Sequence, residues 1–426
     1  MKTNYTIIGD VREKLKELPD KSIQMCLTSP PYYNLRDYGT AEWEGGDPNC
    51  DHIDKNMTRG QNNSSKQRTN NQGNGASLLK TCKQCGAKRK DNQLGLEKTP
   101  EEYVENMVQV FAEVHRVLRD DGTLWLNLGD SYSSGNRTST TNQSLRKDKD
   151  YGVTRPPANK NIKPKSLMGI PWKVAIALQE WGWILRQDII WAKKNCMPES
   201  VKDRFTKSHE YIFLFSKQPK YFFNQIREPA TQVSIDISKR KMNFRKITPD
   251  KTVYDEAQDP SRVVAADHMR NKRSVWNMRT ASYKEAHFAV FPPELAETCI
   301  KAGCPEKICA ECDTPYKKVV EREKLNIKVD KSESERFSVN LKNNHRKIGG
   351  EYDKELKKNP LIDKGLQKQC DCKTNETKSG IVLDCFMGSG TTAMVAQQHS
   401  RKWIGVELNP EYEKLIKKRT AQRELF

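Results

Sequence analysis

The sequence predicts an α/β protein whose core is a doubly wound, mostly parallel sheet. Short apolar runs rich in β-branched residues alternate with stretches whose apolar positions recur at helical spacing. Two of those runs end in loops of opposite chemistry, one stiffened by prolines near the amino terminus and one opened by glycines near the carboxyl terminus. Long polar segments interrupt the alternation without replacing it, so they read as insertions into one framework.

Along the chain, Asn4 to Asp10 (NYTIIGD) and Ser22 to Thr28 (SIQMCLT) are expected to be buried strands, each running into a turn signal. The second delivers Ser29-Pro30-Pro31-Tyr32 at its carboxyl end. Polar composition takes over from 45 to 95, with a low-complexity centre from Asn56 to Ala76. Thr99-Pro100-Glu101-Glu102 opens a helix that should run to Leu118, after which Asp121-Gly122 is expected to turn the chain into a strand at Thr123 to Leu128. A polar surface loop from Arg137 to Lys165 precedes a helix at Pro171 to Glu180 and strands at Ile184 to Trp191 and Glu210 to Phe215. Between 218 and 283 the alternation is lost. A helix from Pro293 to Ala302 leads to a second polar insertion, 308 to 378, and the chain closes as strand (Ile381 to Phe386), glycine loop, helix, strand (Trp403 to Glu407), helix.

Lys and Arg number 74 against 55 Asp and Glu, a formal net charge of +19 that draws polyanions, nucleic acid first among them. Solubility is the other use of such charge. No apolar run reaches the roughly 18 residues that span a bilayer, and the opening MKTNYTIIGDVREKL lacks the apolar core of a signal peptide. A cytoplasmic protein with no membrane partner is therefore expected. Its 12 cysteines then need a role other than disulfides.

The segment Ile381 to Ala393 (IVLDCFMGSGTTA) places Asp384 at a strand end and Gly388 and Gly390 in the turn that opens a helix. Glycines there allow close backbone approach to a ligand, while the free N–H groups of the helix start point toward it. Glu407 ends the next strand, where a carboxylate accepts hydrogen bonds from both hydroxyls of a ribose. These residues suit any adenosine-containing cofactor. Gly388 to Ala393 even satisfies the G-x-G-x-x-A form of a dinucleotide site, so NAD is one candidate at this point.

In Ser29-Pro30-Pro31-Tyr32 two prolines fix φ and remove two N–H donors, so the turn presents oxygens rather than donors. Such acceptors suit an exocyclic amine: the Ser29 hydroxyl and the Pro30 carbonyl would hold it and stabilise the positive charge that develops on nitrogen during attack. Tyr32 offers a flat face for a base withdrawn from its stack. On its own the string is equally an ordinary proline-stiffened loop.

Together the two loops resemble those of the DNA amino-methyltransferases, which modify adenine-N6 or cytosine-N4. In that family the S/D-P-P-Y tetrapeptide is catalytic and the D-P-F-x-G-S-G-T element binds S-adenosylmethionine. The catalytic element comes first here, an order that resembles the family's β group. The resemblance implies a Rossmann-like methyltransferase sheet in circularly permuted order. It covers about 1 to 44, 96 to 217, 284 to 306 and 379 to 420.

His287 to Pro292 (HFAVFP) resembles the element that completes the cofactor pocket. That adds Phe291 and Pro292 to a cofactor set of Asp384, Phe386, Gly388, Gly390, Thr391 and Glu407. Gly122 to Asp130 (GTLWLNLGD) resembles the strand after the catalytic one, implying that Asp130 reaches the methionine end of the cofactor. Residues 1–44 and 96–217 then form the catalytic half, 284–307 a pocket helix, 379–426 the cofactor half and 218–283 a target-recognition region. Cys385 departs from the family's proline. Serine at the head of the tetrapeptide implies cytosine-N4 as the target, with adenine-N6 the alternative. Double-stranded DNA is the implied partner, together with a cognate restriction endonuclease in a prokaryotic or phage setting.

Cys50-x-His52 and Cys82-x-x-Cys85 flank the low-complexity stretch of the 45–95 insertion, and Cys309-x-x-Cys312 and Cys370-x-Cys372 flank that of the 308–378 insertion. Four soft ligands in two close pairs are what tetrahedral zinc requires, so two structural Zn²⁺ sites are expected. Unmetallated thiols are the alternative. Cys26, Cys196, Cys299 and Cys385 sit among apolar neighbours and read as core or site-lining residues.

Within 218–283, Lys239, Arg240, Lys241, Arg245, Lys246, Arg270, Lys272 and Arg273 are interleaved with Phe244, Tyr254 and Trp276. That pattern suits neutralisation of phosphates with a few side chains reaching bases. A solvated charged face gives the same pattern. Two rivals of other classes remain: a non-catalytic, zinc-stapled nucleic-acid binder and an NAD-linked oxidoreductase. Methylation of RNA or of protein glutamine would use the same acceptor cradle.

Overall fold

The computed structural model describes residues 1–33, 40–50, 81–133, 162–233, 235, 269–283, 286–322 and 361–421, with backbone alone at 282–283, 286–289, 320–322 and 361–363. The chain divides into two compact units, one of 1–223, 274–306 and 379–426 and one of 224–273 with 307–378.

The first unit is built on an eight-stranded sheet. Its strands in chain order are β1 (Tyr5–Ile8), β2 (Ile23–Thr28), β3 (Leu118–Leu128), β4 (Ile184–Lys193), β5 (His209–Ser216), β6 (Val275–Met278), β7 (Ile381–Asp384) and β8 (Lys402–Glu407). In space they run β1-β8-β7-β2-β3-β5-β4-β6. All pairings are parallel except the two that β5 makes, with β3 and β4. Among the described residues the helices longer than one turn are α1 (Pro100–Val117), α2 (Ile170–Trp181), α3 (Pro293–Gly303), α4 (Thr391–Gln398) and α5 (Glu411–Ala421).

The period of two along β3 builds both layers. Leu124, Leu126 and Leu128 join the core filled by Met107, Val110, Phe111 and Val114 of α1 and Val174 and Leu178 of α2. Trp125 points the other way, toward α3, where a Cβ on Gly303 would come within 2.4 Å of its indole nitrogen. The close approach of α3 to the sheet therefore requires that glycine. Helix α1 begins as expected, with the Thr99 hydroxyl accepting from the Glu102 N–H at 3.1 Å and Pro100 in its first turn.

Three elements differ from expectation. The strand after α1 starts at Leu118, and Asp121-Gly122 lies inside it. Between the pairs Ile23–Leu118 and Met25–Thr123 the register shifts, so the turn signal appears as a bulge. The segment assigned to target recognition contributes an edge strand, β6, pairing with β4 from Val275–Ile190 to Met278–Lys193. Trp276, read as part of a DNA-contacting stretch, is a buried residue of that strand. Finally, β5 is antiparallel, which alternation of helix and strand does not reveal.

At the base of the 45–95 insertion, Glu42–Glu44 just before it pairs antiparallel with Lys88–Lys90 within it. Among the described residues the second unit holds antiparallel ladders: Arg227–Pro229 with Met269–Asn271, Ile308–Cys309 with Thr377–Lys378, and Lys317–Arg322 with Leu361–Gln367. Among the described residues no helix is long and apolar enough to cross a membrane.

Candidate active site

Strands β7 and β2 are neighbours, paired Val382–Met25 and Leu383–Cys26, so their carboxyl ends lie abreast. From there β8 and β1 continue the sheet to one side and β3 to the other. This is the switch point at which an open α/β sheet forms its crevice. The Thr28 hydroxyl donates to Asp384 Oδ1 at 2.7 Å, joining segments 356 residues apart. The proline loop and the glycine loop thus leave the sheet side by side.

Asp384 is buried, and burial pushes its carboxyl up to about 6 against the lowering effect of its donors. Besides Thr28, those donors are the Thr392 hydroxyl at 2.6 Å and the Phe386 N–H at 3.1 Å. Asp384 therefore ties β2, the loop and α4 together. Its neighbour Cys385, where a proline would lend stiffness, is buried with its thiol 3.6 Å from the Thr28 hydroxyl, so contacts replace the missing ring. Gly388 and Gly390 have φ of +53° and +83°, the left-handed region that favours glycine.

The Gly388 N–H donates to Glu407 Oε2 at 2.7 Å, and the Asn409 N–H to Oε1 at 2.9 Å. Burial pushes the Glu407 carboxyl up to about 7. In front of Gly388 a Cβ would meet nothing nearer than Phe386 O at 4.0 Å. An open glycine turn at a helix start, with a carboxylate on the neighbouring strand end, fits the ribose of an adenosine group. The Thr391 hydroxyl, expected at the cofactor, accepts from the buried Arg419 guanidinium at 2.9 Å, as the Ser389 hydroxyl does at 2.7 Å. Arg419, on α5, braces the loop from behind and carries no sequence signature.

On the other side of the crevice, the buried Tyr103 donates its hydroxyl proton to the Pro31 carbonyl at 2.9 Å. Among the described residues no donor reaches the Pro30 carbonyl. The Tyr32 ring lies over Gly129, where a Cβ would come within 2.5 Å of it. Its hydroxyl donates to Glu210 Oε2 at 2.7 Å and stands 3.4 Å from the Ser29 hydroxyl. Asn127 Nδ2 donates to the same carboxylate oxygen at 3.2 Å and to the Tyr211 carbonyl at 3.1 Å. Lys193 pairs with Glu210 Oε1. Sequence reading missed Asn127, Lys193 and Glu210; the signal was a polar side chain within each of three apolar strands.

The Asp130 carboxylate caps α2, accepting from the N–H groups of Ser131, Gly169 and Ile170 at 2.9, 3.0 and 3.1 Å. Phe291 and Pro292 precede α3. The far end of α3 is fixed by Arg401, which donates to the Cys304 carbonyl near the start of β8.

The ligand atoms of Cys309, Cys312, Cys370 and Cys372 lie within 4.8 Å of one another, as do those of Cys50, Cys82 and Cys85. Tetrahedral Zn–S bonds set sulfurs about 3.8 Å apart, and Cys50 and Cys82 Sγ are separated by 3.8 Å. Both C-x-x-C loops carry the same hydrogen bonds. Gly86 N–H donates to the Cys82 carbonyl and Cys82 N–H to the Ala87 carbonyl; Asp313 N–H donates to the Cys309 carbonyl and Cys309 N–H to the Thr314 carbonyl. Gly86 and Asp313 both have positive φ. His52 lies outside the described residues.

So do Lys239, Arg240, Lys241, Arg245 and Lys246. Arg270 is described, and it pairs with Glu228 at 2.9 Å, which diminishes its availability to phosphate. The Lys272 N–H donates to the Ile226 carbonyl, and Arg273 follows on the same segment.

A family model described as DNA methylase matches residues 23–309 and 366–418. The Type II methyltransferase M.SmaI of Serratia marcescens is 32% identical over 98% of this chain and 90% of its own length. M.XycI of Xanthomonas campestris pv. cyanopsidis is 32% identical over 95% of this chain and 83% of its own length. Among solved structures, the PvuII DNA methyltransferase (cytosine-N4-specific) aligns over 98% of this chain and 88% of its own, with 16% identity and a TM-score of 0.45.

Proposed function

The chain belongs to the DNA methylase family of N6- and N4-methyltransferases, and from that premise we propose how its two loops work and which base they serve. It is an S-adenosylmethionine-dependent DNA methyltransferase, and its sheet is the Rossmann-like sheet of that class with the catalytic half first in the chain. The proposal is that the target is cytosine-N4. Its support is the serine at the head of Ser29-Pro30-Pro31-Tyr32 and the placement of that tetrapeptide beside the glycine loop through the Thr28–Asp384 bond at 2.7 Å.

In this reading Glu407 accepts from the ribose hydroxyls, and the turn at Gly388 and Gly390 admits the cofactor close to the backbone. Asp384, Thr391 and Phe386 keep that turn in shape. Phe291 and Pro292 close the pocket. Asp130, while capping α2, faces the methionine ammonium with the capacity that Oδ2 retains. The cofactor supplies an electrophilic methyl group. A cytosine withdrawn from the duplex lies against Tyr32, whose ring is held by Gly129 beneath it and by Glu210 at its hydroxyl. The Ser29 hydroxyl and the Pro30 carbonyl accept the amine protons, directing the nitrogen lone pair and stabilising the charge it acquires. Pro31 holds the turn rigid.

Phosphate contacts are assigned to the basic residues of 218–283, Lys272 and Arg273 among those described. Zn²⁺ would be held by Cys309, Cys312, Cys370 and Cys372 and by Cys50, Cys82, Cys85 and His52, fastening two segments too polar to fold alone. Elemental analysis of purified protein is expected to find two zinc ions per chain. A restriction endonuclease reading the same sequence is the proposed cytoplasmic counterpart of the enzyme.

Nucleoside mass spectrometry on DNA from cells expressing the chain tests the choice of base. N4-methylcytosine is expected; N6-methyladenine without it would overturn that choice and leave the family assignment standing.

A further inference from the structure

Phe205 and Met197, at 96% and 82% exposure, are the two most exposed large apolar side chains among the described residues. Both belong to the loop that joins β4 to β5, residues 194–208. Scattered apolar exposure is ordinary, but two such side chains on one short loop beside a substrate crevice are not.

The loop is firmly attached. Arg204 lies 3.9 Å over the Tyr132 ring and pairs with Glu199. Asp203 pairs with Lys165 at 2.7 Å, and Lys207 Nζ donates to the Asp130 carbonyl at 2.9 Å. Asn195 accepts from the Thr280 N–H at 2.7 Å, and the Ser208 carbonyl from the Lys193 N–H at 2.8 Å. The residues around Phe205 are thus committed to the protein while Phe205 itself projects.

The attachment points locate the loop. Asp130 follows Gly129, which carries the Tyr32 ring, and Glu210, five residues after Phe205, accepts from the Tyr32 hydroxyl. Chain geometry keeps Phe205 within about 18 Å of Glu210. Residues 193–207 also carry Lys193, Lys194, Lys202, Arg204 and Lys207 against Glu199 and Asp203; with Lys193, Arg204 and Lys207 engaged by Glu210, Glu199 and the Asp130 carbonyl, Lys194 and Lys202 are the cations offered to phosphate. An apolar tip in basic surroundings matches duplex DNA, whose charged backbone encloses an apolar stack.

We propose that this loop is a wedge: Phe205, supported by Met197, enters the base stack of the duplex and fills the space left by the withdrawn base. The inference rests on duplex DNA being the substrate. A fixed apolar side chain in the vacated position prevents the base from swinging back and offsets part of the lost stacking.

Phe205→Ala and Met197→Ala, made in the full chain, test it by single-turnover methylation of a duplex carrying the enzyme's own site. The target base is either normally paired or set opposite an abasic position, which lowers the cost of withdrawal. Phe205→Ala is expected to slow methylation of the paired duplex by roughly tenfold or more and to recover to within about threefold of wild type opposite the abasic position. Met197→Ala should show a smaller loss with the same recovery. Phe205→Leu should retain most activity, and S-adenosylmethionine affinity should be unchanged in all three. Equal losses on both duplexes, or no loss on either, would overturn the wedge. So would conversion of a wild-type dimer to monomer by Phe205→Ala, since the side chain would then serve a second copy of the chain. A wild-type protein that methylates no DNA would remove the premise itself, a result distinct from a fully active Phe205→Ala.

Discussion

The proline loop after β2 and the glycine loop after β7 leave adjacent strand ends and have opposite construction. In the first, missing N–H groups and fixed φ values leave oxygens as the polar atoms of the turn, and the buried Tyr103 occupies the Pro31 carbonyl. In the second, positive φ at Gly388 and Gly390 leaves open space before Gly388, and the Gly388 N–H holds the Glu407 carboxylate beside it. A single crevice therefore has a rigid acceptor wall for an amine and an open turn with a carboxylate, Glu407, for a nucleoside. The lesson is that transfer between two bound molecules needs one wall shaped for each, and the sheet sets them one strand apart.

That division separates the expected kinetic effects. Ser29→Ala removes an acceptor for the developing charge and is expected to lower kcat by roughly a hundredfold to a thousandfold. The cofactor dissociation constant, read by isothermal titration, should not move. An unchanged kcat would break the comparison at the proline wall. Gly390→Ala acts on the other wall. A side chain at φ +83°, with Ile416 at 3.1 Å, strains the turn by about 1–3 kcal/mol. Cofactor affinity should fall by roughly tenfold to a hundredfold, while kcat at saturating cofactor changes little.

The smallest effect sharpens the comparison through pH. Burial raises the Glu407 carboxyl to about 7, and only its ionised form accepts two ribose hydroxyls. Cofactor affinity is expected to rise as pH increases through about 7, and Glu407→Gln should give a weaker, pH-independent affinity. Stability has the opposite slope. The folded protein holds the Asp384 and Glu407 protons more tightly than the unfolded chain does, so their contribution declines as pH rises from the ordinary carboxylate range through about 6 and about 7. Thermal melting across that range, compared with Asp384→Asn, measures it.

Both walls were legible in the sequence because each is a contiguous string whose residues have unusual backbone requirements. The strands bearing them were legible because each apolar run is short and punctuated. What surrounds the walls was not. Glu210 touches Tyr32 only because β5 enters antiparallel beside β3, and strand direction leaves no mark on a run of apolar residues. Arg419 braces the glycine loop across the turn of a terminal helix, where a basic residue reads as surface. Strand β6 escaped notice because four residues inside a polar region carry too little periodicity, and its Trp276 was taken for a DNA contact. The paired hydrogen-bond patterns at Cys82 and Cys309 give the cysteine spacings a shared local geometry that spacing alone could only suggest.

The claim on which the rest depends is that the two walls face one space. A crystal structure with sinefungin, in which an amine replaces the transferred methyl group, tests it directly. The adenosine is expected against Glu407 and Gly388, with the replacing amine within about 6 Å of the Ser29 hydroxyl and the Pro30 carbonyl, as a methyl poised for attack on a held amine requires. An analogue bound at the glycine loop with that amine directed away from Ser29 and Pro30 would contradict the account.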